Sequence, residues 1–541
     1  MKKNYYKIFA FLAVALFPLS SCDLLDSKDD LELTDEMLET RYYHYRNMGN
    51  RAYNFIPDGF NRIDGNLFAT ASDEAQYYTT LSDASRFNNG SWNQFYNPDD
   101  QYDRMYVGIH DCNYFLENTT DYKERLALHR DTLTIDGNAS YKKDVKNIEW
   151  LRDEAVVLRS YYYFELLKRY GDIPVMKTSD AVTYSERVPY DQVVEMIVKD
   201  IDAVKGRLVE SWRDENLANE DGRITLGAAN AIKARILLYA ASPLNNPDGA
   251  VEKWEKAAAA AHDVINMARY SLADSYRDLF LTAATNTNPE VIWAVRHTAN
   301  NTLETLNYPI TTQGGGTGVC PTHNLVKAYE PGDPRLKASI VANGDNWNGR
   351  AMQIYAGGVD DPEKANTSVT GYYIKKFLQP DLSLVDGATE IHTWIAFRYA
   401  EILLNYAEAM NEAYGPDSKA AFTMSAREAI NAVRARTGVG MPAVTASGKE
   451  EMRAAIKRER QVELAFEEHR WWDLLRWKDA ETVLNGNIYG VENVADGNGG
   501  FSVEEKVVAT RMFDASKMYR YPIPQSEVVK TSNAIQQNPN W

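Results

Sequence analysis

Apolar residues recur at three- and four-residue steps through most of the chain, in segments around 102–128, 146–170, 190–210, 225–241 and 252–268. The same spacing returns near 396–414, 419–437 and 450–478. It is the period of helices that bury one face, so the chain is predicted to be mostly α. Between 290 and 390 the pattern breaks. Gly, Pro, Asn and Thr accumulate there, and only short apolar runs such as Val291-Ile292-Trp293-Ala294-Val295 survive. This predicts a loop-rich insertion with short strands.

The stretch Leu226 to Ala240 carries small residues on one face, which permits close approach of a second helix. A turn from Ser242 to Gly249 leads to a segment with Trp254 and an alanine run. Large aromatics set against small residues in a helix–turn–helix pair resemble a tetratricopeptide repeat, although no strict period of about 34 residues runs through the chain. The expected scaffold is a set of irregular hairpins of this type over about 36–270 and 396–480, folded with the insertion at about 290–390 as one unit covering 36–541.

The first residues read as an export signal, residues 1–21. A basic start at Lys2-Lys3 precedes the apolar run Ile8 to Phe17, which is too short to span a bilayer. The run ends in Leu19-Ser20-Ser21-Cys22, which resembles a bacterial lipobox, so Cys22 is expected to carry the lipid after cleavage. Residues 22–35 then read as an acidic tether, including the Lys28-Asp29-Asp30 cluster. The formal charge of −17 becomes −20 once Lys2, Lys3 and Lys7 leave with the signal, which argues against a nucleic-acid partner. If Cys22 is lipidated, only Cys112 and Cys320 remain, as a disulfide or as two buried thiols. With no CxxC or HExxH and eight scattered histidines, a dedicated zinc site is not expected.

Several blocks carry a more specific resemblance. Leu151 to Leu166, continuing through Arg169-Tyr170-Gly171-Asp172-Ile173-Pro174, is an aromatic-rich helix closed by a glycine stop. Arg398 to Ala409, with Ala429-Ile430-Asn431 and Arg434 to Gly438, forms the second, and Arg458 to Glu467 with His469 to Trp477 the third. The chain closes with Tyr521-Pro522-Ile523-Pro524 and Gln537-Asn538-Pro539. With the lipobox, these blocks resemble the SusD/RagB family from near residue 22 to 541. The resemblance implies a lipid-anchored outer-membrane protein at the cell surface that binds oligosaccharide, performs no chemistry and delivers its cargo to a SusC-like TonB-dependent transporter. The alternative is a gating lid for peptides or glycoprotein fragments with little glycan affinity of its own. No cofactor is implied, and a structural Ca²⁺ would be compatible.

The densest ionisable cluster runs from Arg458 to Arg476. A glycosidase needs two carboxyl groups roughly 5–10 Å apart, but here acids alternate with arginines, a pattern that ties helices together. Gln313 to Gly318 lacks the Gly-Lys-Ser/Thr of a phosphate cradle, so its glycines are expected to bend a loop around a ligand or partner, or to leave it mobile. Sugar recognition calls for flat rings plus amide, carboxylate or guanidinium groups. Two stretches offer both: Asp73, Arg86, Asn88 and Trp92 in a turn-rich segment, which matches one beside the family's glycan site, and Tyr308 and Trp347 in the insertion, which carries the family's variable part. Packing roles for Trp92 and Trp347 remain open on the sequence. Trp293 is expected in a core strand, and Trp471, Trp472 and Trp477 on a packed helix face.

Overall fold

The structure, a computed structural model, describes residues 41–180, 186–281, 287–532 and 534–541. The export signal, Cys22 and the acidic tether lie outside the described residues. The chain groups into two compact units, a smaller one of residues up to Met48 plus Thr119–Ile148, and a larger one of Gly49–Asn118 plus Glu149–Trp541.

The architecture is mostly α, with paired helices and short strands. In the smaller unit, the Tyr122–Ala127 helix is fastened by the Tyr141 hydroxyl, which donates to the Lys123 carbonyl at 3.0 Å. The larger unit holds helices Tyr102–Glu117, Tyr190–Val204, Leu226–Ala241, Val251–Asn266, Tyr399–Tyr414, Ala426–Arg434, Lys449–Glu463 and Arg470–Trp477. It also holds the C-terminal part of the long helix Ile135–Tyr170. That helix stops at Gly171, whose φ of 74° supplies the left-handed cap.

The Leu226–Ala241 helix starts at Thr225, whose side chain accepts from the Ala228 amide. Its alanines are buried, and it packs against Val251–Asn266 as the small-residue face predicts. Gly227 is required, because a Cβ there would lie 1.9 Å from the Tyr270 hydroxyl. Asn246 pins the intervening turn, donating to the Ala241 and Ala250 carbonyls and accepting from the Ala250 amide.

The predicted 450–478 segment is two helices, not one. Phe466 and Glu468 take φ of 65° and 66°, a left-handed conformation that breaks the rod. The break lets Glu467 accept from Arg398 Nε at 2.7 Å and Lys376 Nζ at 2.6 Å. Glu463, one turn earlier, accepts from Arg335, Arg398 and Arg436 at 2.6–2.9 Å. Glu459 joins Arg335 to Arg434, and Glu290 bridges Arg398 and Arg436. All of these side chains are buried. Burial pushes the Glu463 carboxyl up, but Arg436, Arg398 and Arg335 together pull it well below the ordinary glutamate value.

Among the described residues, strands form five two-stranded antiparallel sheets. Val291–Arg296 pairs with Thr393–Arg398, so the two ends of the predicted insertion are clasped in one ribbon, with Trp293 in the core. Ala75–Tyr77 pairs with Val319–Pro321, joining an early segment to the insertion. A hairpin of Asn487–Ala495 and Phe501–Thr510 has no counterpart in the helical pattern read from the sequence.

Removing one partner of a buried ion pair strands the others. Glu463→Ala is therefore expected to lower unfolding free energy by about 3–5 kcal/mol in denaturant titration. Glu74 behaves differently: burial, reinforced by Asp73, pushes its carboxyl up to about 8 from 4.5. A raised folded value means its contribution is full below the unfolded glutamate value and fades as pH rises towards 8. Glu74→Gln should thus gain melting temperature over the parent between about pH 6 and about pH 9, measured by calorimetry.

Candidate functional site

The segment from Leu81 to Asn97 forms a ledge on which Leu81, Phe95 and Tyr96 are exposed. Ser82 caps the short helix Asp83–Asn88. The Asp64 carboxylate adds a second cap, accepting from the Asp83 and Ala84 amides at 2.7 and 2.9 Å. After the helix, Asn93 and Tyr96 exchange backbone hydrogen bonds at 3.0 and 3.1 Å, and the Asn93 side chain accepts from the Phe95 amide. This tight turn thrusts Phe95 outward, 77% exposed. Tyr96 donates its hydroxyl to Asp83 at 2.6 Å, which pushes the phenol up, while the Arg86 guanidinium sits 4.8 Å from its ring centroid.

Beside the turn lies a cleft of about 270 Å³, lined by Asn93, Gln94, Phe95, Tyr96, Asn97 and Asp100 on one side and Pro522, Pro524, Gln525 and Ser526 on the other. The Gln525 amide donates to the Gln94 carbonyl at 3.0 Å and closes the cleft floor. An open ring beside several amides and one carboxylate suits a ligand with an apolar face and many hydroxyls.

Of the sequence-predicted residues, Arg86 lies on this ledge, its side chain 58% exposed. The expectation of open ring faces at Trp92, Tyr308 and Trp347, and of free polar groups at Asp73 and Asn88, is corrected, because the structure buries all five. Trp92 lies under the turn, stacked 4.9 Å from Phe87 and packed on Tyr521 and Trp541. Asp73 accepts both donors of the Arg470 fork at 2.8 and 2.9 Å. The Asn88 side chain donates to the Thr70 carbonyl, and its backbone carbonyl accepts from the Met512 amide.

Trp347 belongs to a hairpin, Asn346–Trp347 with Arg350–Ala351, whose two turn residues Asn348 and Gly349 both have positive φ. Asn-Gly favours that turn, and strand alternation then points Trp347 inward, edge-on to Tyr308 at 5.5 Å. The Tyr308 hydroxyl donates to the Gln379 carbonyl. The glycine-rich loop is equally committed. A Cβ at Gly315 or Gly318 would lie 2.4 or 2.6 Å from the Tyr308 or Leu306 carbonyl oxygen, so these glycines let the loop lie flat on the Thr302–Asn307 helix. Cys112 and Cys320 are separate buried thiols.

Phe95, Tyr96 and Asn97 were missed by sequence reasoning that searched for tryptophan. Their signal is a pair of rings between amides, directly before Pro98, with no apolar periodicity around them.

Two family models match the chain: that of the SusD family over residues 289–541, and one described as starch-binding associating with outer membrane over residues 25–238. The chain belongs to the SusD/RagB family. Among its SusD-like relatives, protein P2 of Formosa agariphila is 26% identical over 429 residues, which cover 75% of this chain and 77% of that protein. A solved SusD-like protein of Bacteroides fragilis shares the fold with a TM-score of 0.76 at 24% identity, covering 94% of this chain and 99% of its own. A SusD-like carbohydrate binding protein of the same species has a TM-score of 0.72 at 20% identity, over 92% and 99% of the two chains.

Within this SusD-family chain the two rings should separate experimentally. Trp92→Ala is expected to cost about 3–5 kcal/mol in unfolding free energy, whereas Phe95→Ala should stay within about 0.5 kcal/mol of the parent, both read by chemical denaturation.

Proposed function

We propose that the protein captures oligosaccharide on the ledge around Phe95 and passes it to a SusC-like TonB-dependent transporter, held at the outer membrane by lipid on Cys22. The single observation that carries this reading is the Phe95 ring, standing open at the mouth of a cleft furnished with amides. The apolar face of a sugar ring packs on such an aromatic face, while amide and carboxylate groups take up the hydroxyls around it. Family membership supports it, since one matching family is described as starch-binding and associating with the outer membrane, and a structural neighbour is a carbohydrate binding protein.

A binding role also agrees with the state of the acids. Glu463, Glu467 and Asp473 each accept from buried arginine or lysine, which holds their carboxyls below the ordinary range and away from the raised, proton-bearing state that glycoside hydrolysis uses.

Isothermal titration of the mature chain against a panel of neutral oligosaccharides tests the reading, with Phe95→Ala expected to weaken binding by roughly tenfold. Co-purification with a β-barrel partner tests delivery. A chain that binds no glycan yet co-purifies with a barrel would sink glycan capture and favour the gating role.

A further inference from the structure

A second and larger cleft, about 520 Å³, opens elsewhere on the larger unit, between the 210–225 segment, the 269–270 turn and the start of the Val291–Arg296 strand. Its chemistry differs from that of the ledge. Where the first cleft gathers amides, this one gathers arginines: Arg213, Arg223 and Arg269, against Glu210 and Asp221 in the same lining. Asp214, Glu154 and Glu220 pair with the same arginines from beside the lining, so the feature that sets this cleft apart is its unused guanidinium donors and not its net charge.

The three guanidiniums are not equivalent. Arg223 is fully engaged, its fork on Glu154 at 2.6 and 3.0 Å, its remaining nitrogen on Glu220, and its face 4.0 Å from the Trp212 ring. Arg213 and Arg269 keep side chains that are 46% and 31% exposed. Each has one carboxylate at hydrogen-bonding distance, Asp221 at 2.7 Å and Asp214 at 2.9 Å. A guanidinium carries five N–H donors in a planar fork, so both arginines retain donors for a further anion. Tyr270 lines the same cleft, its hydroxyl wedged against Gly227 so that the ring is held in place.

We propose that this cleft binds an acidic sugar, one bearing a carboxylate or sulfate, with the anion on Arg213 and Arg269 and the sugar ring against Tyr270. The inference rests on the reading of the chain as a glycan binder and adds a second, charge-selective subsite to it. The Phe95 cleft, with Asp100 in its lining, is suited to neutral hydroxyls rather than to an anion.

The test is isothermal titration of the mature chain with a short oligouronide, a short sulfated oligosaccharide and a neutral oligosaccharide. At least one acidic probe should bind, and its affinity should fall by about tenfold or more in the Arg213→Gln/Arg269→Gln double variant. It should fall likewise on raising NaCl from about 50 to about 500 mM. The two acidic arms tell carboxylate from sulfate. The Arg213→Lys/Arg269→Lys pair, which keeps the charge and loses the fork, should bind between the parent and the glutamine pair, which guards against misreading a folding defect. Failure of the parent to bind either acidic probe overturns the proposal, as does equal binding by the glutamine pair. If the neutral probe fails while acidic binding still depends on the arginines, the ledge reading falls and this one stands.

Discussion

The buried lattice of carboxylates and guanidiniums around Glu463 is the constraint on which the larger unit depends. Glu459, Glu463 and Glu467 lie on successive turns of one stretch and Glu290 on another, and their partners Arg335, Lys376, Arg398, Arg434 and Arg436 come from others. Such ions contribute little net free energy compared with apolar packing of similar volume, yet none can be stranded without heavy cost. The lattice therefore favours the arrangement of the Lys449–Glu463 helix, the Tyr399–Tyr414 helix and the insertion in which each buried charge meets an opposite one. The left-handed residues at 466 and 468 belong to the same bargain, since a continuous helix would not give Glu467 this position.

On that frame the candidate site is assembled in layers. Phe87, Trp92, Trp471, Tyr521 and Trp541 form an aromatic pedestal whose rings lie 4.7–6.0 Å apart in successive pairs. Nearby, Asp99 is held by Arg62 and Arg169 and accepts from the Tyr521 hydroxyl, which fixes the start of the following segment. The tight turn at 93–96 then rests on rigid support. A ring on such a turn is presented without first having to be ordered, which lowers the entropic cost of binding.

Much of this was legible in the sequence. Helical periodicity located the scaffold, the small-residue face predicted the Leu226–Ala241 contact, and the alternation of acids with arginines at 458–476 predicted the ion pairing found there. What failed was exposure. Periodicity reports which face of a regular element is buried, but Trp92 lies in an irregular segment where burial is decided by partners hundreds of residues away, Tyr521 and Trp541, and Trp347 lies in a two-residue strand too short to show alternation. The glycines at 314–318 likewise signal close approach of backbone, and the sequence alone does not say whether a ligand or the protein itself makes that approach. The Asn348-Gly349 turn was readable as a hairpin signal, but a turn does not say which face of its hairpin is buried.

The clasp formed by Val291–Arg296 and Thr393–Arg398 has a consequence for how such a chain can change over time. Nearly a hundred residues leave and re-enter the scaffold through one pair of adjacent strands and are tied to it again at Val319–Pro321, Arg335 and Lys376, so that only the stretches between these anchors vary freely in length. The entropic cost of closing a longer excursion grows only with the logarithm of its length. Drift can therefore lengthen or rewrite the stretches between these anchors without rethreading the helices, while Arg335, Lys376 and the Val319–Pro321 strand have to be kept.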